Sequence, residues 1–151
     1  MSAEIERWDK RFAAGCYNRA WELLEKRPRS ADEDADLLAT AFAQRFHWFR
    51  VGEAHEKAIA EWQVSRAAAA LRHGRLAVEY AERARTIADG CNGPDFLMAS
   101  IYEGLARAYA AAGDVVTRDR WLAEARTSLA GITEEDDREV IEQQIADVPG
   151  A

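Results

Sequence analysis

Residues 102–125 read YEGLARAYAAAGDVVTRDRWLAEA, and this stretch decides the fold. Tyr102, Leu105, Ala106 and Tyr109 fall at the spacing that puts apolar side chains on one face of a helix. Gly113 supplies a helix stop and Asp114 an N-cap, and Leu122 and Ala125 continue an apolar face on the helix that follows. Two amphipathic helices joined by so short a turn lie antiparallel, and neither buries its apolar face alone.

The rest of the chain repeats this grammar. Alanine is abundant, β-branched residues occur singly, and Pro28, Pro94 and most glycines fall between periodic segments, so the expected fold is all-α with about eight helices. The first runs over about 3–14, with Ile5, Trp8 and Phe12 on one face and Gly15 ending it. The second covers about 17–26. Ser30 and Glu33 form a capping box that opens a third, to about 50. Val51-Gly52 then interrupts, and a fourth spans about 54–73, closed by Gly74. A fifth covers about 76–89, and Gly90-Cys91-Asn92-Gly93-Pro94 is the clearest loop. Asp95 caps a sixth to about 112, Asp114 a seventh to about 130, and Thr133 with Asp136 opens an eighth over about 133–148. This gives one domain over 1–151: a hairpin at 3–27, an atypical helix at 30–50, repeats at 54–89 and 95–130, and a capping helix at 133–148.

Composition removes several classes of function. A net charge of -7 with a pI near 5.0 lacks the concentrated positive field that nucleic acid or an anionic membrane requires. No apolar run approaches the roughly 18 residues of a membrane span. The charged first ten residues carry no secretory or transit pattern, so a cytoplasmic location is expected by default. Cys16 and Cys91 stand outside any metal or redox spacing and read as free thiols. Seven acidic residues against one basic, Arg138, lie between Glu134 and Asp147, which reads as a solvated terminal face.

Internal similarity strengthens the repeat. Ala67, Ala70 and Gly74 map onto Ala106, Tyr109 and Gly113 at one offset, and Ala84-Arg85-Thr86 onto Ala125-Arg126-Thr127 at an offset two residues longer. The order Tyr102, Leu105, Ala106, Tyr109, Gly113-Asp114, Leu122, Ala125 resembles the tetratricopeptide repeat, most fully over 102–125, then over 62–88 and in part over 5–27. Arg118 and Ala130 depart from the motif. The 30–52 segment fits no copy, so it is either an insertion or the first half of a long kinked element with the helix that follows. The chain is also similar to short bacterial proteins with this helical-repeat fold. The resemblance implies a right-handed stack of antiparallel hairpins, an α-solenoid, and a fold rather than an activity.

No phosphate-binding loop, nucleophile elbow or His-Glu-x-x-His motif is present, so neither catalytic residues nor a metal or other cofactor is expected. His55 has Ile59 four residues on and no second ligand at helical spacing; packing and capping account for His47 and His73. The run Phe46-His47-Trp48-Phe49 cannot enter one core, since successive helical side chains diverge by about 100°. Phe42, Phe46 and Phe49 are assigned to a core stripe and Trp48 to a neighbouring face, against the next helix or as a ligand or subunit contact; Trp8, Trp21, Trp62 and Trp121 are assigned to the core. The resemblance further implies that the first helix of each hairpin lines a groove. Mapped through Ala67 and Ala106, the groove positions include Glu61, Leu71, Arg72, Ser100, Glu103 and Arg107, with Glu103 and Arg107 able to pair with each other. The expected function is therefore a non-catalytic module binding a protein or peptide segment there, with a homodimer possible. The alternatives are a small-molecule sensor or enzyme with a pocket near 46–62, and a structural self-associating module.

Overall fold

A computed structural model covers residues 1–151 and contains seven helices and no strand. They are α1 (Ala3–Glu25), α2 (Ala31–Val51), α3 (Ala54–Ala70), α4 (Gly74–Gly90), α5 (Asp95–Ala111), α6 (Val115–Ala130) and α7 (Glu135–Ala146). No helix is long and apolar enough to cross a membrane. Helix α1 packs chiefly on α2, α3 on α4 and α5 on α6. Between these pairs, α2 meets α3, α4 meets α5 and α6 meets α7, while α1 touches α3, α3 touches α5 and α5 touches α7.

The expected count of eight is corrected to seven because Gly15 does not end a helix. It lies inside α1, where a glycine costs only about 1 kcal/mol relative to alanine, and packing on α2 outweighs that. The expected hairpin at 3–27 is thus one helix, and its partner is the 30–50 segment that matched no repeat. That segment and α3 are separate helices divided at Gly52-Glu53. Gly74 opens α4 instead of closing α3. The left-handed residue that ends α3 is Arg72 (φ 62°), and His73 N–H then donates to Ala68 O at 2.9 Å. Gly113 (φ 83°) ends α5 in the same way, with Asp114 N–H on Tyr109 O at 2.9 Å. At the later boundaries, Pro94 rather than Asp95 occupies the cap of α5, and α7 starts at Glu135.

These boundaries reset the repeat. Helices α3 and α5 both have 17 residues, opening at Ala54 and Asp95 and closing at Ala70 and Ala111, so equivalent residues stand 41 apart. Helices α4 and α6 open at Gly74 and Val115, with the same offset. The longer of the two offsets read from the sequence, Ala84 onto Ala125, is this period; the shorter, Ala67 onto Ala106, is corrected by two residues.

Small residues set the helix spacing. Ala77, Ala81, Ala84 and Ala88 form a buried seam on α4, facing a cluster that includes Leu97, Ile101 and Leu105 of α5. The first hairpin packs Leu23, Leu37 and Ala41 with Val64 of α3, and α7 covers α5 and α6 with Ile141 and Ile145, joined by Val148 just after the helix. The aromatic run is distributed differently from the expectation. Phe46 is 59% exposed and Trp8 46% exposed, so neither belongs to the core. Phe42 meets Tyr80 edge-on at 5.3 Å, Phe49 lies under the Arg45 guanidinium at 4.3 Å, and Trp48 is half-buried beside Gly52.

The capping box at Ser30 is present in full: its hydroxyl accepts from Glu33 N–H at 3.1 Å and its own N–H donates to Glu33 Oε1 at 3.1 Å. Its pairing with Lys26 first, and the Ser30 N–H second, hold Glu33 at a pKa of about 2, below the ordinary 4.5. The folded pKa is the lower one, so its contribution to stability is complete above pH 4.5 and is lost as pH falls toward 2. Glu33→Gln should therefore flatten the acid limb of a melting-temperature profile in that window; an unchanged limb would show that the cap does not stabilise the fold through its charge.

Candidate functional site

The 41-residue spacing of α3 and α5, carried onto α1 and α7, sets Trp21 and Gln144 in line with Trp62 and Glu103. They form a continuous row. The Trp21 and Trp62 ring centroids are 5.8 Å apart, and Tyr17 meets Trp21 edge-on at 6.4 Å. Trp62 Nε1 donates to Glu103 Oε1 at 3.0 Å. This approach explains a glycine inside α5: a Cβ on Gly104 would stand 2.5 Å from Trp62 Cδ1.

A second row of equivalent residues, Arg66 and Arg107, runs alongside. The Arg66 guanidinium lies over both indoles, at 5.0 Å from Trp21 and 5.7 Å from Trp62, with Nη1 3.6 Å from Glu103 Oε1. Arg107 Nη2 donates to Glu103 Oε2 at 3.4 Å and to Gln144 O at 2.9 Å, and Nη1 to Asp147 O at 3.3 Å. Glu103 is fully buried; loss of solvent pushes its pKa up, and Arg107 and Arg66 pull it back. Burial lowers the Arg66 pKa, opposed first by Glu103. Two cations share one buried carboxylate, and several groups keep unused hydrogen-bonding capacity. Arg66 Nη1 and Arg107 Nε have no acceptor, and Gln63 Oε1 and Gln144 Oε1 have no donor. A buried polar atom without a partner carries a desolvation cost of about 1–3 kcal/mol that an incoming group could relieve. Both N–H groups are buried beside the aromatic faces, and Arg66 Nη1 is already at ion-pair distance from Glu103.

The expected groove residues do not converge. Glu103 and Arg107 come together as an ion pair in the row. Glu61 is 1% exposed and belongs to a different network, accepting from Arg45 Nε at 2.8 Å, Arg45 Nη2 at 2.9 Å and Arg83 Nε at 3.3 Å. Ser100 donates its hydroxyl to Phe96 O of its own helix at 3.1 Å. Leu71 and exposed Arg72 sit at the C-terminal end of α3 and Trp48 near its N-terminal end. Seventeen helical residues span about 25 Å, so Trp48 and Leu71 form no common surface. Leu71 instead lines an open depression with Asp34, Leu38, Phe42 and His73. The 46–62 segment is regular helix apart from its turn.

Sequence reasoning assigned Trp21 and Trp62 to the core and passed over Arg66 and Gln144. The 41-residue spacing of the two tryptophans and of the two arginines was the available signal. Away from the row, His47 Nδ1 lies 2.7 Å from Asp9 Oδ1, with the ring near Phe12 and Phe46. Arg50 Nε donates to Asp9 Oδ2 at 2.9 Å, and these two contacts hold the Asp9 carboxyl below its ordinary pKa. The trio ties α1 to α2. No group of three or more His, Cys, Asp or Glu side chains is placed to hold a metal ion. Compared with known proteins, the chain matches no family model, no curated protein and no solved structure.

Proposed function

We propose that the protein is a non-catalytic, tetratricopeptide-like helical-repeat module that binds a protein or peptide segment along the row carried by α1, α3, α5 and α7. Two features support the stack. The first helix of each hairpin touches the first helix of the next, and the second helix of each also packs on that following first helix. The period of 41 residues exceeds the roughly 34 of a tetratricopeptide repeat, so each hairpin is a longer version of that unit.

One observation carries the binding role: Arg66 Nη1 and Arg107 Nε, donors of equivalent residues in successive repeats, lack acceptors beside the Tyr17–Trp21–Trp62 aromatic strip. Donors on equivalent residues of successive repeats suit an extended segment, whose own groups recur along its length. Random peptides displayed on phage and panned on the protein are expected to enrich a consensus sequence. Its affinity should fall about tenfold or more with Tyr17→Ala or Arg107→Gln and stay unchanged with Val116→Ser on exposed α6 surface. No enrichment, or a consensus indifferent to both row variants, overturns the reading.

A further inference from the structure

The 41-residue period shows where the molecule departs from its own repeat. Ala54, which opens α3, corresponds to Ala13 in α1, so residues 3–12 of α1 have no counterpart in the later hairpins. This overhang packs on the end of α2 through buried Asp9, bonded to His47 and Arg50, and through Phe12 beside the His47 ring. At the opposite end of the chain, Ile141 and Ile145 of α7 close the last hairpin together with Val148 just beyond it.

The uncovered face is apolar and ordered along the helix. Met1, Ile5, Trp8 and Phe12 are 62%, 47%, 46% and 51% exposed, and Phe46 of α2 borders them at 59%. Trp8 and Phe12 stack at 5.8 Å. On α1, Ile5, Trp8 and Phe12 follow at intervals of three and four residues, as in the seam that one helix presents to another in a coiled coil, and Met1 lies just before the helix. Glu4 and Arg11 each precede a seam residue, Ile5 and Phe12, and so flank the seam on the same edge, away from buried Asp9; both are exposed.

We propose that this face pairs with a second copy of the chain, the two α1 overhangs lying antiparallel across a two-fold axis near Arg7. Charge complementarity selects that occupant. In an antiparallel pair about this axis, Glu4 of each copy comes opposite Arg11 of the other, and the symmetry makes both contacts at once. A parallel pair would carry the Glu4–Arg11 edges of the two copies to opposite sides of the seam and make neither contact. The area is that of a small interface: a bare aromatic side chain offers roughly 150–250 Å², so five half-exposed large side chains supply roughly 400–600 Å² per partner before the charged rim is added, against the roughly 800 Å² per partner of a standard interface. This interface is separate from the Arg66–Arg107 row and leaves that row free.

Sedimentation velocity across a concentration series tests the pairing. The wild-type chain is expected to pass from monomer to dimer with rising concentration, and Trp8→Ala or Phe12→Ala to weaken the dimer by about tenfold or more with an unchanged helical spectrum. Glu4→Arg and Arg11→Glu should each be monomeric alone and should form a heterodimer when mixed, because the two arginines that flank the seam of one variant then lie across from the two glutamates of the other. A monomeric wild type at every concentration overturns the proposal, as does a dimer insensitive to Trp8 and Phe12. Mixed single variants that remain monomers overturn the antiparallel arrangement. Peptide selection on the row is unaffected by any of these outcomes.

Discussion

Arg45→Met is expected to lower stability by about 3–5 kcal/mol in chemical denaturation at neutral pH, the usual cost of leaving a buried charge without its partner. Glu61 is 1% exposed and takes two parallel hydrogen bonds from Arg45. Methionine keeps an apolar stem near Phe49, so the loss isolates the missing charge and donors. Arg83 also reaches Glu61, but from a side chain 48% exposed, and exposed partners contribute about 0–1 kcal/mol. Arg83→Met should therefore cost little. Adding Glu61→Gln to Arg45→Met removes the stranded charge and should recover most of the loss, because the destabilisation comes from the unpaired carboxylate. A loss below about 1 kcal/mol for Arg45→Met would show that Glu61 finds water when its partner leaves.

Local chemistry made much of the fold legible. The Ser30–Glu33 box and the Asp114 cap, whose carboxylate accepts from Thr117 N–H at 3.0 Å, depend only on residues a few positions apart. Glycine misled at two places for different reasons. At Gly15 the helix continues because α1 has α2 along its length, a tertiary gain that no local rule registers. At the end of α3 the left-handed position belongs to Arg72, whose strain is offset by the His73–Ala68 hydrogen bond. Aligning Gly74 with Gly113 then shifted the register of a whole helix by two residues, which hid the equivalence of Arg66 with Arg107.

The candidate site was legible where partners lie on one helix and obscure where they do not. Glu103 and Arg107 are four residues apart, and the pair follows from helical geometry. That Trp62 on α3 reaches Glu103 on α5 follows only once the 41-residue period is known. The aromatic run shows the same limit: helical spacing gives the angle between Phe46 and Phe49, but which arc is covered depends on where the neighbouring helices end.

Gly104→Ala is expected to destabilise by about 2–4 kcal/mol although it improves the intrinsic helix propensity of α5. Alanine gains about 1 kcal/mol over glycine in a helix interior. Against that, its Cβ would stand 2.5 Å from Trp62 Cδ1 and 2.8 Å from Nε1, and overpacking of a filled core costs about 1–3 kcal/mol. The indole has little room to retreat, since the tilted Trp21 ring lies beside it and Arg66 covers it. Any retreat also stretches the 3.0 Å bond to Glu103, and a hydrogen bond to a charged group contributes about 1.5–3 kcal/mol. Gly15→Ala is the matched control: it too lies within a helix, and a Cβ there meets nothing within 4 Å, so it should stabilise by up to about 1 kcal/mol. Thermal unfolding of the two variants separates propensity from packing. Stabilisation of both by the same amount would show that Trp62 can move aside freely and that the row is not held rigid by its contact with α5.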